Sequence, residues 1–162
     1  MKAVAVVAHP DDCVIFARPF ILNHPEYTWT IVYLTHTQTD DRSLEMQAYW
    51  ANQHIETLFL EFDDEWDSVV MGDLGFDANT AELAILKAIQ EYDLVLTHGP
   101  WGEYGHPHHL FVHQVIKKTD KSKVYFASNQ LANIVYTLDT DIDLDQLPLH
   151  RNILEQIGRA HV

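Results

Sequence analysis

The sequence predicts an α/β fold, a three-layer sandwich with a mostly parallel, Rossmann-like sheet between two layers of helices. Three observations predict it. Short apolar runs rich in β-branched residues recur along the chain, amphipathic stretches of helical period separate them, and two of the apolar runs stop abruptly in a histidine. At 162 residues the chain is sized for one domain able to bury a sizeable core.

The run 4–8 is continuously apolar, as in a parallel strand covered on both faces. Asp11 or Asp12 can cap the next segment, 13–22, whose apolar residues suit a helix that Pro19 would kink or end early. Residues 28–35, TWTIVYLT, read as a second strand, 37–41 as a polar loop, 43–54 as a helix and 57–62 as a third strand. The acidic, aromatic stretch 63–77 reads as a long surface loop. In 80–91, an amphipathic helix, Leu83, Leu86, Ala88 and Ile89 fall on one side. A fourth strand, 93–99, ends in His98; a helix at 110–118, a strand at 123–127, a sixth strand at 134–138, an acidic loop at 139–145 and a closing helix at 148–157 follow.

Composition narrows the function. With 24 acidic and 10 basic residues, the net charge of −14 opposes phosphate backbones and anionic lipid, so neither nucleic acid nor a membrane is an expected partner. No run approaches the roughly 20 apolar residues of a membrane span, and HPDD stands where a signal peptide would carry small residues. The single cysteine, Cys13, fits a reducing compartment, and a cytoplasmic location is expected. Composition says nothing of oligomeric state.

Eleven histidines are many for this length, and they bunch: His98, His106, His108, His109 and His113 lie close together. In open α/β sheets ligands bind beyond the carboxyl ends of the strands, so AHPDD (8–12) and HGPWGEYGHPHH (98–109) fall on one rim. If a helix starts near Pro107, His106 sits at its mouth, with His109 and His113 on one face further in. His9, Asp12 and His109 then offer two imidazoles and a carboxylate, a set that suits catalytic Zn²⁺ with one position left for water. Asp11 is placed to act as general base, and His106 to stabilise an oxyanion or protonate a leaving amine. Each segment alone also reads as plain turn or loop chemistry; together at two strand ends they favour the metal. His113 reads as packing or support and His98 as a hydrogen bonder at the edge of the site. Trp101 and Tyr104 read either as core or as substrate contacts, and Cys13 as a small buried residue. His24, His36, His54, His150 and His161 read as surface or turn residues.

With AHPDD and GEYGHPHH in place, the sequence resembles the LmbE-like, or PIG-L, family of zinc-dependent N-acetylglucosaminyl deacetylases, which carry AHPDDE and a downstream HPDH. The resemblance runs from Met1 to about Ile116. It implies the LmbE-like fold over a single deacetylase-like domain, 1–162, and removal of acetyl from an N-acetyl amino sugar or its conjugate. It also implies one Zn²⁺ held by His9, Asp12 and His109, with Asp11 as base, His106 as acid or oxyanion stabiliser, and Tyr104 touching the substrate carbonyl oxygen. Arg42, with Glu45 three residues on, matches the family's Arg-x-x-Glu, whose arginine is linked to the sugar. His98 and Trp101 join Arg42 as expected substrate contacts.

Three departures stand out. Cys13 replaces the glutamate of AHPDDE, His108 replaces the aspartate of HPDH, and the chain stops, at IGRAHV, where more family sequence follows, as a trimmed member or fragment would. If the lost aspartate tunes His106, the His106 pKa should fall and its acid role weaken. A degenerate relative that binds metal or sugar without turnover is the alternative reading. An iron(II) site of two histidines and one carboxylate ranks lower, because such sites usually sit in β-barrels.

Overall fold

The computed structural model describes residues 1–65, 73–126, 142–152 and 154–155. Among the described residues, five strands form one sheet in the order β3-β2-β1-β4-β5, and the four pairings between them are parallel. They are β1 (Lys2–Val7), β2 (Thr28–Thr35), β3 (Glu56–Phe62), β4 (Leu94–Thr97) and β5 (Ser122–Tyr125). This is a doubly wound order, in keeping with the mostly parallel, Rossmann-like sheet that the alternating pattern predicts. The sixth predicted strand, 134–138, and His161 lie outside the described residues.

Strand periodicity explains the three layers. Along β1, Ala3, Ala5 and Val7 point into one core with Tyr33, Met46 and Trp50, while Val4 and Val6 point into another with Ile85, Val112 and Ile116. Every one of these side chains is buried, which is why β1 reads as an unbroken apolar run rather than an alternating one. The first core is covered by α1 (Arg18–Asn23), α2 (Asp41–Ala51) and the chain's late segment through Leu147 and Leu154, the second by α3 (Ala78–Ala88) and α5 (Pro107–Lys117).

Several boundaries differ from expectation for identifiable reasons. The predicted helix 13–22 is two pieces: a π-helical turn, Cys13–Ala17, passes into α1 at Arg18, and Pro19 occupies the first turn of α1, where its missing N–H costs nothing. Neither Asp11 nor Asp12 caps that turn with its side chain; the Asp12 carboxylate turns back onto the His9 N–H instead, at 2.9 Å. Asp40 caps α2 through Ser43 N, and Asp77 caps α3 through Thr80 N. On α3 the buried stripe is Ala81, Ile85 and Ile89, whereas Leu83 is 69% exposed and Leu86 also faces outward. The buried spacing is i, i+4, i+8, and Leu83 and Leu86 fall off that stripe.

Candidate metal centre at the carboxyl rim of the sheet

The chain leaves β1 toward β2 and β3 on one side and returns to β4 and β5 on the other, so the sheet's switch point lies between β1 and β4. Four of the strand ends each deliver one polar group toward that rim: His9 after β1, His36 after β2, Asp64 after the edge strand β3 and His98 after β4. Pro107 starts α5 with His106 as its N-cap, His106 Nδ1 accepting the N–H of His108 at 3.1 Å. That start places the His109 ring inward, as the sequence predicts.

His9, Asp12 and His109 converge. His9 Nδ1 lies 3.3 Å from Asp12 Oδ2, His109 Nε2 lies 3.1 Å from the same oxygen, and the two ring nitrogens are 3.4 Å apart. Ligands about 2.0–2.1 Å from a tetrahedral zinc stand about 3.3 Å from one another. The donor set and its spacing therefore fit a divalent ion.

The hydrogen bonds fix which ring nitrogens carry protons. The Ala8 N–H donates to His98 Nε2 at 3.0 Å, so His98 is protonated at Nδ1, which donates to Glu103 Oε1. His109 Nδ1 donates to that same oxygen at 3.0 Å, so Nε2, which faces Asp12 and His9, is the nitrogen that would bind a metal on giving up its proton. Glu103 Oε2 accepts the Gly99 N–H at 2.7 Å. Burial alone would raise the Glu103 pKa; the bonds from His109 and His98 outweigh it and hold the pKa down to about 2. Glu103 reaches this position through a left-handed backbone (φ 60°), a costly conformation for a side chain of this size and one that clusters at functional sites. Preceding it, Gly102 (φ 58°) holds a backbone that residues with a Cβ rarely adopt, and a Cβ there would also stand a tight 3.0 Å from the Leu110 side chain.

On the other side of His9, Nε2 lies 3.1 Å from Asp64 Oδ1 and 2.9 Å from His108 Nδ1. His108 Nε2 donates to Leu74 O at 2.8 Å, which leaves its Nδ1 as an acceptor. His36 links Asp64 at 2.9 Å with Asp40 at 2.9 Å, and both carboxylates raise its pKa against the effect of burial.

Protonation equilibria follow from these contacts. Burial would lower His9 and His109, yet Asp12 with Asp64 lifts His9 to about 10, and Asp12 with Glu103 lifts His109 to about 9. Burial and the adjacent Asp12 charge raise Asp11, partly offset by Arg42, whose Nη2 is 3.7 Å away. Burial and the charges of His9, His109 and His108 push His106 down to about 3, as the loss of the HPDH aspartate implies. His106 is therefore a neutral ring with its proton on Nε2, a hydrogen-bond donor rather than an acid at neutral pH.

Of the expected substrate contacts, Trp101 is 54% and Tyr104 61% exposed, with the Tyr104 ring 5.2 Å from that of His109. His98 is corrected: it is 0% exposed with both ring nitrogens engaged, so it stands behind His109 and offers no free atom to a substrate. His113 Nδ1 donates to His98 O at 2.9 Å, a support as expected. Cys13 is buried against Tyr33, Trp50 and Pro10 O, and burial raises its pKa to about 12, consistent with an inert thiol. His150 and His36 are corrected as well. His150 is fully buried, accepting from Arg42 Nε at 3.2 Å through Nε2 and bonding Glu45 Oε1 at 3.1 Å through Nδ1, and His36 belongs to the rim.

Asp64, Glu103 and His36 are the site residues sequence reasoning missed. Asp64 and His36 carried a usable signal, since His36 directly follows one predicted strand and Asp64 stands two residues past another, at the rim where His9 stands. Glu103 carried none: six residues from His109 and in a left-handed turn, it has no period to announce it.

Fold and rim together define an α/β protein with a histidine–carboxylate centre at the sheet's switch point. The chain belongs to the PIG-L family, described as GlcNAc-PI de-N-acetylase, with residues 4–119 matched. Solved structures share the fold. A deacetylase of the teicoplanin biosynthesis pathway has a TM-score of 0.62 at 12% identity, covering 98% of this chain and 84% of that one. The zinc-inhibited form of teicoplanin deacetylase Orf2 has a TM-score of 0.55 at 16% identity, covering 72% and 62%. GalB, the 4-carboxy-2-hydroxymuconate hydratase of Pseudomonas putida KT2440, has a TM-score of 0.56 at 19% identity, covering 97% and 78%. No curated protein matches the sequence. Among the described residues no helix is long and apolar enough to cross a membrane.

Proposed function

We propose that the chain is a zinc-dependent deacetylase, a single domain over 1–162 acting in the cytoplasm. It removes the acetyl group from an N-acetyl amino sugar of the N-acetylglucosamine type, or from its conjugate. The observation that carries this reading is the near-equal separation, 3.1–3.4 Å, of His9 Nδ1, Asp12 Oδ2 and His109 Nε2 beside a carboxylate of raised pKa. The fold alone is shared by a deacetylase and a hydratase; the family match and this donor set favour hydrolysis.

His9, Asp12 and His109 would hold the ion. When bound, it supplies Lewis acidity and lowers the pKa of a coordinated water to about 7. Asp11, made more basic by burial and by Asp12, accepts a proton from the attacking water. His106 Nε2–H donates to the amide oxygen as negative charge builds there, and the Tyr104 hydroxyl reaches the same side of the substrate. Asp11 then passes its proton to the leaving amine, so that amide and water become acetate and free amine. Arg42 steadies the Asp11 carboxylate and faces the sugar.

The test is acetate release from a panel of N-acetylated sugars and sugar conjugates by zinc-loaded protein. Turnover on at least one, lowered at least about a hundredfold in Asp11→Asn and abolished in His109→Ala, is expected. Tight zinc binding with no turnover on any member would favour the degenerate reading instead.

A further inference from the structure

We infer that His108 builds a second, weaker divalent-cation site on the far side of His9, and that filling it shuts down the centre proposed above. The inhibitory half rests on that functional reading; the site itself does not.

Four side chains from three parts of the chain meet there. His9 Nε2, pointing away from Asp12, lies 2.9 Å from His108 Nδ1 and 3.1 Å from Asp64 Oδ1, and Asp64 Oδ1 lies 3.7 Å from His108 Nδ1. One nitrogen each from His9, His106 and His108 also falls within 4.8 Å of the others. These separations bracket the spacing of about 3.3 Å expected between ligands of a tetrahedral zinc. His108 is ready to bind without changing its protonation: its Nε2 proton is committed to Leu74 O, so the Nδ1 lone pair faces the other three groups. His108 is fully buried, which fixes its ring in advance, and the exposed Asp64 is held toward it by His36 at 2.9 Å.

The site follows from one residue. An aspartate at 108, as the family motif HPDH has it, is shorter and would lack this imidazole lone pair. Binding here forms a bond from the cation to His9 Nε2 and releases that atom's proton to solvent, with no change of oxidation state. The cation shares the His9 imidazole with the first ion, and the repulsion between two divalent charges held that close makes this the weaker site. His106 stays a neighbour of the cation, since its Nδ1 accepts the His108 N–H and its Nε2 carries the proton; a cation here crowds the rim where His106 faces the substrate oxygen and joins the two sites through one shared imidazole, that of His9.

Zinc alone is the probe. Equilibrium dialysis of metal-free protein is expected to show two equivalents, the second bound at least about tenfold more weakly. His108→Phe, which keeps the ring's bulk beside Phe76, and Asp64→Asn each lose the second equivalent and keep the first. His109→Ala loses the tight equivalent and keeps the weak one. A single equivalent in the wild-type chain, or a second that survives both His108→Phe and Asp64→Asn, would overturn the site. Acetate release should fall as the second equivalent binds and stay constant in His108→Phe; equal inhibition of both proteins overturns the regulatory claim. One tight equivalent without any turnover would count against the proposed function, whereas the dialysis result stands apart from it.

Discussion

Glu103 and His109 are joined by a hydrogen bond of 3.0 Å between Oε1 and Nδ1, both side chains wholly buried. The carboxylate that orients the His109 ring thus comes from six residues upstream, on a left-handed turn, in a chain whose HPDH-like motif has lost its own aspartate. Carboxylates in this position fix the tautomer of a ligating imidazole and raise its basicity. Glu103→Gln is therefore expected to weaken zinc binding by about 10–100-fold, measured by competition with a chelator, while the circular dichroism spectrum stays unchanged.

The same contacts set a pH profile for the metal-free protein. His9 and His109, raised from 6.5 to about 10 and about 9, contribute stability that is complete below pH 6.5 and lost as pH rises through 9 to 10. Glu103, lowered from 4.5 to about 2, contributes stability present above pH 4.5 and lost as pH falls through 2. His106, lowered to about 3, stays neutral when folded, so the unfolded chain gains the extra proton and stability falls from pH 6.5 downward. Thermal melts of metal-free protein should peak near pH 6.5. Zinc competes with the protons on His9 and His109, so the rise in Tm on adding zinc should grow from pH 6 to pH 9.

His150 ties the late segment to the rim. It holds Arg42 and Glu45 together, and the backbone N–H groups of Leu149 and His150 reach the same Glu45 carboxylate at 2.8 and 3.3 Å. His150→Ala leaves buried groups unpaired and should cost about 1–3 kcal/mol in chemical denaturation. Freed from His150, Arg42 no longer holds the Asp11 carboxylate, so kcat should drop while zinc affinity is retained. Equal loss of zinc would show that His150 acts only through the fold.

Cys13 gives a negative control close to the centre. Fully buried, with its pKa pushed up to about 12, it should resist alkylation at pH 8 in folded protein and react fast once denatured. Cys13→Ser should keep turnover within about threefold, since the thiol touches Tyr33 and Trp50 and no site residue takes its proton.

Much of this was legible in the sequence, for reasons that also mark where legibility ends. The run 4–8 and its abrupt HPDD stop announced a buried parallel strand meeting a site, and the Pro107 start placed His106 and His109 correctly. What local pattern cannot carry is the partner arriving from far along the chain. His150 reaches Glu45 across 105 residues, and nothing in LPLH distinguishes it from a surface turn. His36 looked like a turn residue because its two carboxylates, Asp40 and Asp64, come from different elements. On α3 the error was of another kind: the helical period was read with Leu83, Leu86, Ala88 and Ile89 on one side, but the buried register is Ala81, Ile85 and Ile89, of which that reading held only Ile89.

The most direct measurement is anomalous diffraction at the zinc edge from crystals carrying one equivalent of zinc per chain. A single peak about 2.0–2.2 Å from His9 Nδ1, Asp12 Oδ2 and His109 Nε2 is the predicted result. A peak away from those three atoms, or none at full occupancy of added metal, would contradict the account.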